Sequence, residues 1–124
     1  MKSLADLFAS EGLGVLATSS HDGTVNTAVY SRPHVIDQTT LAWGMTEGRT
    51  IANIRQNPHA SFLFRQGSHG YVGVRITLDL LRIEEEGTML ALVRARTAEV
   101  VSPAAAAAVR YVAHFAVKEI RTLV

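Results

Sequence analysis

The chain has 124 residues, of which 48% are hydrophobic and 19% charged, with a formal net charge of +1. That balance describes one ordered domain, 1–124, large enough to bury a core, and implies no electrostatic pull toward nucleic acid or an anionic membrane. The absence of cysteine removes disulfides, thiolate catalysis and cysteine-ligated metals together.

At the N-terminus, Leu4, Leu7 and Phe8 fall at helical spacing behind Ser3, a fair N-cap, and Gly12 closes the short helix predicted over 3–11. Asp6 and Glu11 interrupt its apolar pattern, so no signal peptide is expected. No apolar run reaches membrane-spanning length, and the expected location is the cytoplasm. Residues 13–20 read as a strand that is apolar on both sides. His21-Asp22-Gly23 is a hairpin turn, and 25–32 is the returning strand, with Asn26, Ala28, Tyr30 and Arg32 on one face. After Pro33, the segments 34–36 and 40–45 continue what reads as a four-stranded meander.

A helix is expected over about 47–57, ended by Pro58, with Thr46 as its N-cap and Glu47 in its first turn. Arg49 is out of place there, because a cation near a helix N-terminus faces the positive end of the dipole. Free backbone N–H groups, a Thr hydroxyl and a guanidinium at one helix start describe an anion site, phosphate above all. The alternative is a solvated surface arginine.

Residues 60–65 are a strand with Phe62 and Phe64 on one face, followed by a loop over 66–70. From 71 to 84 a long strand alternates cleanly through Val72, Val74, Ile76, Leu78 and Leu80. Its apolar parity then switches to Leu81 and Ile83, which predicts a β-bulge. Glu84-Glu85-Glu86 reads as a solvated cluster. A helix over 87–101 places Met89, Leu92, Val93 and Val100 on one face. Ser102 and Pro103 then open a second helical piece through 104–108, read as a solvent-facing turn of helix. Residues 112–124 form a last strand, with Phe115, Val117 and Ile120 as core or interface residues. The histidines show no metal-ligand spacing, so no protein-bound metal is expected. No nucleophile–base pair is apparent, and the catalytic residues stay unknown. The order of elements predicts a mainly β fold: an antiparallel barrel of six or seven strands with flanking helices.

Three stretches resemble the FMN-binding split barrels related to pyridoxamine-phosphate oxidase, including the small bacterial FMN-binding proteins. They are Gly14-Val15-Leu16-Ala17-Thr18 with the turn at His21-Asp22-Gly23 and the return at Val25-Asn26-Thr27, then 48–58 from Gly48-Arg49-Thr50 to Asn57-Pro58, then Ala60-Ser61-Phe62-Leu63-Phe64. The resemblance implies a split β-barrel in which Arg49 and Thr50 hold the FMN phosphate. It sets Asn26, Thr27 and Ala28 along the flavin ring, and Trp43, Gly44, Met45 and Thr46 beside the ring and ribityl chain. Small residues at Ala28 and Gly44 would leave room for the ring. It further implies a homodimer with the cofactor at the subunit interface, with His114 directed at the partner's cofactor. The implied role is that of a flavin-dependent oxidoreductase or electron-transfer protein, its redox partner unknown. The alternatives are a split barrel that binds a deazaflavin, or haem with His114 as axial ligand, and a ligand-binding or regulatory dimer without catalysis. The last residues, 118–124, lack the basic substrate-phosphate motif of the authentic oxidases, which argues against pyridoxamine phosphate as substrate.

Overall fold

The computed structural model of the protein describes residues 3–124, so the first two residues of the N-terminal segment lie outside it. Helix α1 (Leu4–Leu7) is closed by a capping box between Ser3 and Asp6, and its C-cap is Phe8 rather than a glycine. Gly12 instead begins β1 (Gly12–Ser19), which pairs with β2 (Val25–Tyr30) across the expected turn. Burial alternates along β2, so that Asn26, Ala28 and Tyr30 share the less exposed face, as the period of two requires.

The four-stranded meander does not form. β3 (His34–Asp37) pairs with β4 (Thr40–Met45), but β2 and β3 do not pair. They are the two edges of one antiparallel sheet of order β2-β1-β5-β6-β7-β4-β3. Pro33 separates them: it has no N–H for a ladder and restrains Arg32 before it. The gap between these edges makes the barrel a split one. It is bridged by Trp43, whose Nε1 donates to the Ser31 carbonyl at 2.9 Å, while Arg32 ties the connection to α1 by donating to the Phe8 carbonyl at 3.1 Å.

After β4, α2 (Arg49–Gln56) turns Thr50, Ile51, Asn53 and Ile54 inward and leads into β5 (His59–Gln66). β6 (Gly73–Glu84) and β7 (Tyr111–Thr122) form a long hairpin, joined through α3 (Thr88–Val100) and α4 (Pro103–Ala108). The expected bulge is present. The β6–β7 register shifts between Leu80 and Arg82, and again between Thr77 and Leu78. Leu81 is the residue left over, and it points to solvent instead of joining Ile83 on the apolar face.

The barrel interior holds Leu16, Trp43, Met45, Phe62, Phe64, Ile76, Leu78 and Phe115. A smaller cluster, Ala42, Leu90, Val93, Val109 and Val112, lies between the outer faces of β4 and β7 and the late helices. On α3 it is Leu90 and Val93 that turn inward, while Leu92 and Val100 stay exposed. α4 is largely solvent-facing, as expected, with only Ala106 buried, and Ser102 Oγ caps it by accepting from the Ala105 N–H. Phe115 is in the core and Val117 packs against it, whereas Ile120 is exposed.

Glu84 departs furthest from its expected setting. It is buried rather than solvated. One carboxylate oxygen accepts the Leu90 N–H at 2.8 Å, and the other lies 3.1 Å from His114 Nε2. Helix α3 starts at Gly87, which has no side chain to cap it, so Glu84 reaches across to do so. Glu85, by contrast, is exposed and pairs with Arg55 at 3.1 Å.

Candidate functional site

The α2 N-terminus is built differently from the sequence expectation. Its N-cap is Gly48, with no side-chain cap, and neither Thr46 nor Glu47 lies in the first turn. The Thr46 hydroxyl donates instead to the Glu47 carbonyl, and the Glu47 carboxylate accepts from the Tyr111 hydroxyl. The first intrahelical bond is from the Ala52 N–H to the Gly48 carbonyl. The N–H groups of Arg49, Thr50 and Ile51 therefore have no partner within the helix. A Cβ at Gly48 would point into open space, so the approach to these donors is clear.

This helix start forms one wall of a cleft of about 460 Å³, and β2 forms the other. Asn26, Thr27 and Ala28 line it from β2, and Gly44, Thr46, Arg49 and Thr50 from the β4–α2 side. Arg49 is exposed and has neither hydrogen bond nor ion pair among the described residues. Thr50 is buried beside Tyr30, whose phenol pKa is pushed up by burial and partly lowered by the Thr50 side chain.

Trp43 and Met45 are not brought into the cleft. Each is 1% exposed, with its side chain packed inside the barrel. They alternate with Gly44 and Thr46 along β4, so their side chains belong to the opposite face. Nor is Gly44 an empty space. A Cβ there would meet Val93 Cγ1 at 2.6 Å and Val109 Cγ1 at 3.1 Å, so the glycine admits the late helices close to β4 rather than leaving room for a ring. What Gly44 offers the cleft is backbone. His114 is likewise enclosed beneath α3 against Glu84, and this position does not suit an axial ligand or a group reaching toward another subunit.

Several residues that set the cleft carry no sequence role beyond the helix pattern. Asn53 Nδ2 donates to Thr18 Oγ1 at 3.1 Å, and Asn57 Nδ2 to Ser19 Oγ at 3.0 Å. Gln56 Oε1 accepts the His21 N–H at 3.2 Å. These bonds tie α2 to β1 and to the β1–β2 turn, fixing Arg49 relative to β2. The amides on one side of α2 and the Thr-Ser pair ending β1 were the available signal. Among the described residues no group of three or more His, Cys, Asp or Glu side chains is placed to hold a metal ion, and no helix is long and apolar enough to cross a membrane.

No curated protein matches the chain. Among solved structures, an FMN-binding protein from Syntrophomonas wolfei has a TM-score of 0.82 at 19% identity, over 99% of this chain and 84% of its own. HupZ of Group A Streptococcus has a TM-score of 0.80 at 20% identity, over 99% of this chain and 94% of that one. An F420 reductase has a TM-score of 0.75 at 17% identity, over 98% of each chain. At these identities the likeness is one of fold. The sequence profile described as pyridoxamine 5'-phosphate oxidase matches residues 1–123. With nearly the whole chain matched, this protein belongs to the pyridoxamine 5'-phosphate oxidase family.

Proposed function

We propose that the whole chain is a single FMN-binding unit, that the cleft between β2 and α2 is its cofactor site, and that the protein is a flavin-dependent oxidoreductase or electron-transfer protein. The observation that carries the reading is Arg49: an unpaired guanidinium beside three unpartnered N–H groups, at the mouth of a cleft with a clear approach. A phosphate monoester there would accept from the helix start and form a charge-assisted pair with Arg49. In this reading Thr50 orients the anchor through Tyr30, and Asn26 and Thr27 offer hydrogen bonds to the polar edge of the ring. FMN, when bound, supplies the transfer of hydride or single electrons, and the protein supplies position and charge.

Arg49→Ala is expected to weaken FMN binding by about 1.5–3 kcal/mol, the value of a charged hydrogen bond. Titration of the purified protein with FMN, followed by flavin fluorescence, measures it. Unchanged affinity would remove Arg49 from the site, and a protein that ignores FMN altogether would overturn the reading.

The same proposal includes a homodimer in the cytoplasm, as the resemblance implies. Its support is the outer face of β2, where Val25 and Val29 are 76% and 73% exposed beside the cleft. Light scattering at micromolar concentration should give twice the 13.4 kDa chain mass; a single-chain mass would exclude it. A deazaflavin in place of FMN carries its own phosphate and would use the same anchor. It would be told apart by mass after heat release.

A further inference from the structure

The larger hollow of the fold is not the cleft at Arg49. It lies between α3 and the β3–β4 hairpin and has a volume of about 820 Å³, within the range of small-molecule sites. Val35, Met89, Leu92, Val93 and Val100 supply apolar walls. Leu92 and Val100 are 55% and 77% exposed, so this apolar surface stays in contact with water.

The charged residues around the hollow all have one sign. Among the described residues Arg32 and Arg96 line it, and no carboxylate does. Arg32 spends one N–H on the Phe8 carbonyl. Arg96 makes no hydrogen bond or ion pair among the described residues. His34, half-buried on the same wall, is held below its ordinary pKa by burial and by the nearby Arg96 charge, which leaves a neutral imidazole at pH 7. Two other exposed arginines do have partners, Arg55 with Glu85 and Arg121 with Glu119. An apolar concavity with guanidinium groups and no counter-charge is complementary to a ligand with a hydrophobic body and an anionic head. The anion would take charge-assisted hydrogen bonds from guanidinium groups that have donors to spare.

We infer that this hollow binds a small organic anion, an apolar body carrying one carboxylate, sulfonate or phosphate. Arg96 and Arg32 receive the head, and the α3 side chains cover the body. Gly44 lines both this hollow and the cleft at Arg49. In the part of the inference that rests on the flavin reading, an organic anion is therefore the class of substrate set beside the cofactor. The hollow itself needs no flavin.

Naphthoate is a suitable probe, and its neutral isostere naphthamide the control, each titrated calorimetrically into the full chain with and without FMN. Naphthoate is expected to bind once per chain and naphthamide about tenfold more weakly or less. Arg96→Glu, a change on an exposed helix face, is expected to lose about tenfold or more in naphthoate affinity, with Arg96→Gln in between. Thermal unfolding of each variant shows that it is folded. Equal binding of acid and amide, naphthoate binding that Arg96→Glu leaves intact, or no binding at millimolar naphthoate would each overturn the inference. So would a fall from dimer to monomer in Leu92→Glu, which would make the hollow an interface between copies. FMN titration of the same samples keeps the two readings apart: naphthoate binding to a chain that takes up no FMN overturns the cofactor reading and leaves the hollow's ligand standing.

Discussion

Phe62→Ala is expected to destabilise the protein by about 3–5 kcal/mol, the cost of deleting a buried aromatic ring and leaving a cavity. Phe62 is fully buried and touches aromatic neighbours on several sides. Its ring centroid lies 4.7 Å from Trp43, 6.1 Å from Phe8 and 6.3 Å from Phe64. The site cannot collapse easily. On one side is Gly14 of β1, where a Cβ would already come within 2.6 Å of the Phe62 ring, and β-ladders on both edges of β5 hold the backbone in register. The loss would be a large fraction of the stability of a domain of this size, roughly 5–15 kcal/mol. Urea unfolding followed by Trp43 fluorescence measures it. A cost under about 1 kcal/mol would mean that the barrel repacks around the gap. Because Trp43 also donates to Ser31 across the split, loosening its neighbour should loosen the β2–β3 connection as well.

Removing Glu84 is the second large effect. Glu84→Ala is expected to cost about 3 kcal/mol, the sum of two charged hydrogen bonds at the lower end of their range. It leaves the Leu90 N–H and the His114 ring without their partner in a site closed to water. Burial alone would raise the Glu84 pKa. The Leu90 N–H, His114 and Arg82 outweigh burial, and the net shift is downward. The folded protein therefore binds this proton less readily than the unfolded chain does. Stability from Glu84 is fully present above the ordinary glutamate range and is lost as pH falls through the depressed folded value. Asp22 acts with the same sign: the Ser20 hydroxyl and the Thr24 N–H hold it at about 2. It is present in wild type and variant alike, so the difference between their stability–pH curves isolates Glu84. Glu84→Gln should show a gap from wild type at pH 7 that narrows on acidification. A gap independent of pH would mean that the carboxylate charge is not what α3 uses.

Much of the barrel was legible because it rests on period two. β6 shows this best: the parity of Val74, Ile76, Leu78 and Leu80, broken before Ile83, told of a bulge before any pairing was known. Arg49 was legible for another reason, since it violates a local rule without a local gain. The failures share a cause, which is contact between residues distant in the chain. Glu84 looks like its neighbours Glu85 and Glu86 until β7 brings His114 against it. Pro33 is a visible break, but nothing local says that β2 and β3 end at opposite edges of the sheet. Gly44 looks like room for a ligand until Val93 fills it. Trp43 and Met45 are a different case. The resemblance set both beside the ring, whereas along β4 they share the face of Leu41, opposite to Gly44 and Thr46, and that face is the barrel interior.

The β6–β7 ladder has a consequence for how this protein can change. Its pairing continues up to Glu84 and Val112, the residues flanking the excursion that holds α3 and α4. The two strands pair right up to the insert, and the sheet takes no strand from it. The insert supplies one wall of the larger hollow, and the Arg49 cleft takes no residue from it. The chain is thus modular: a cassette of helices sits on a closed hairpin, free to vary in length and lining while the opposite side of the barrel keeps its anchor. Divergence in what the larger hollow accepts is therefore cheapest here, where insertions strain no strand.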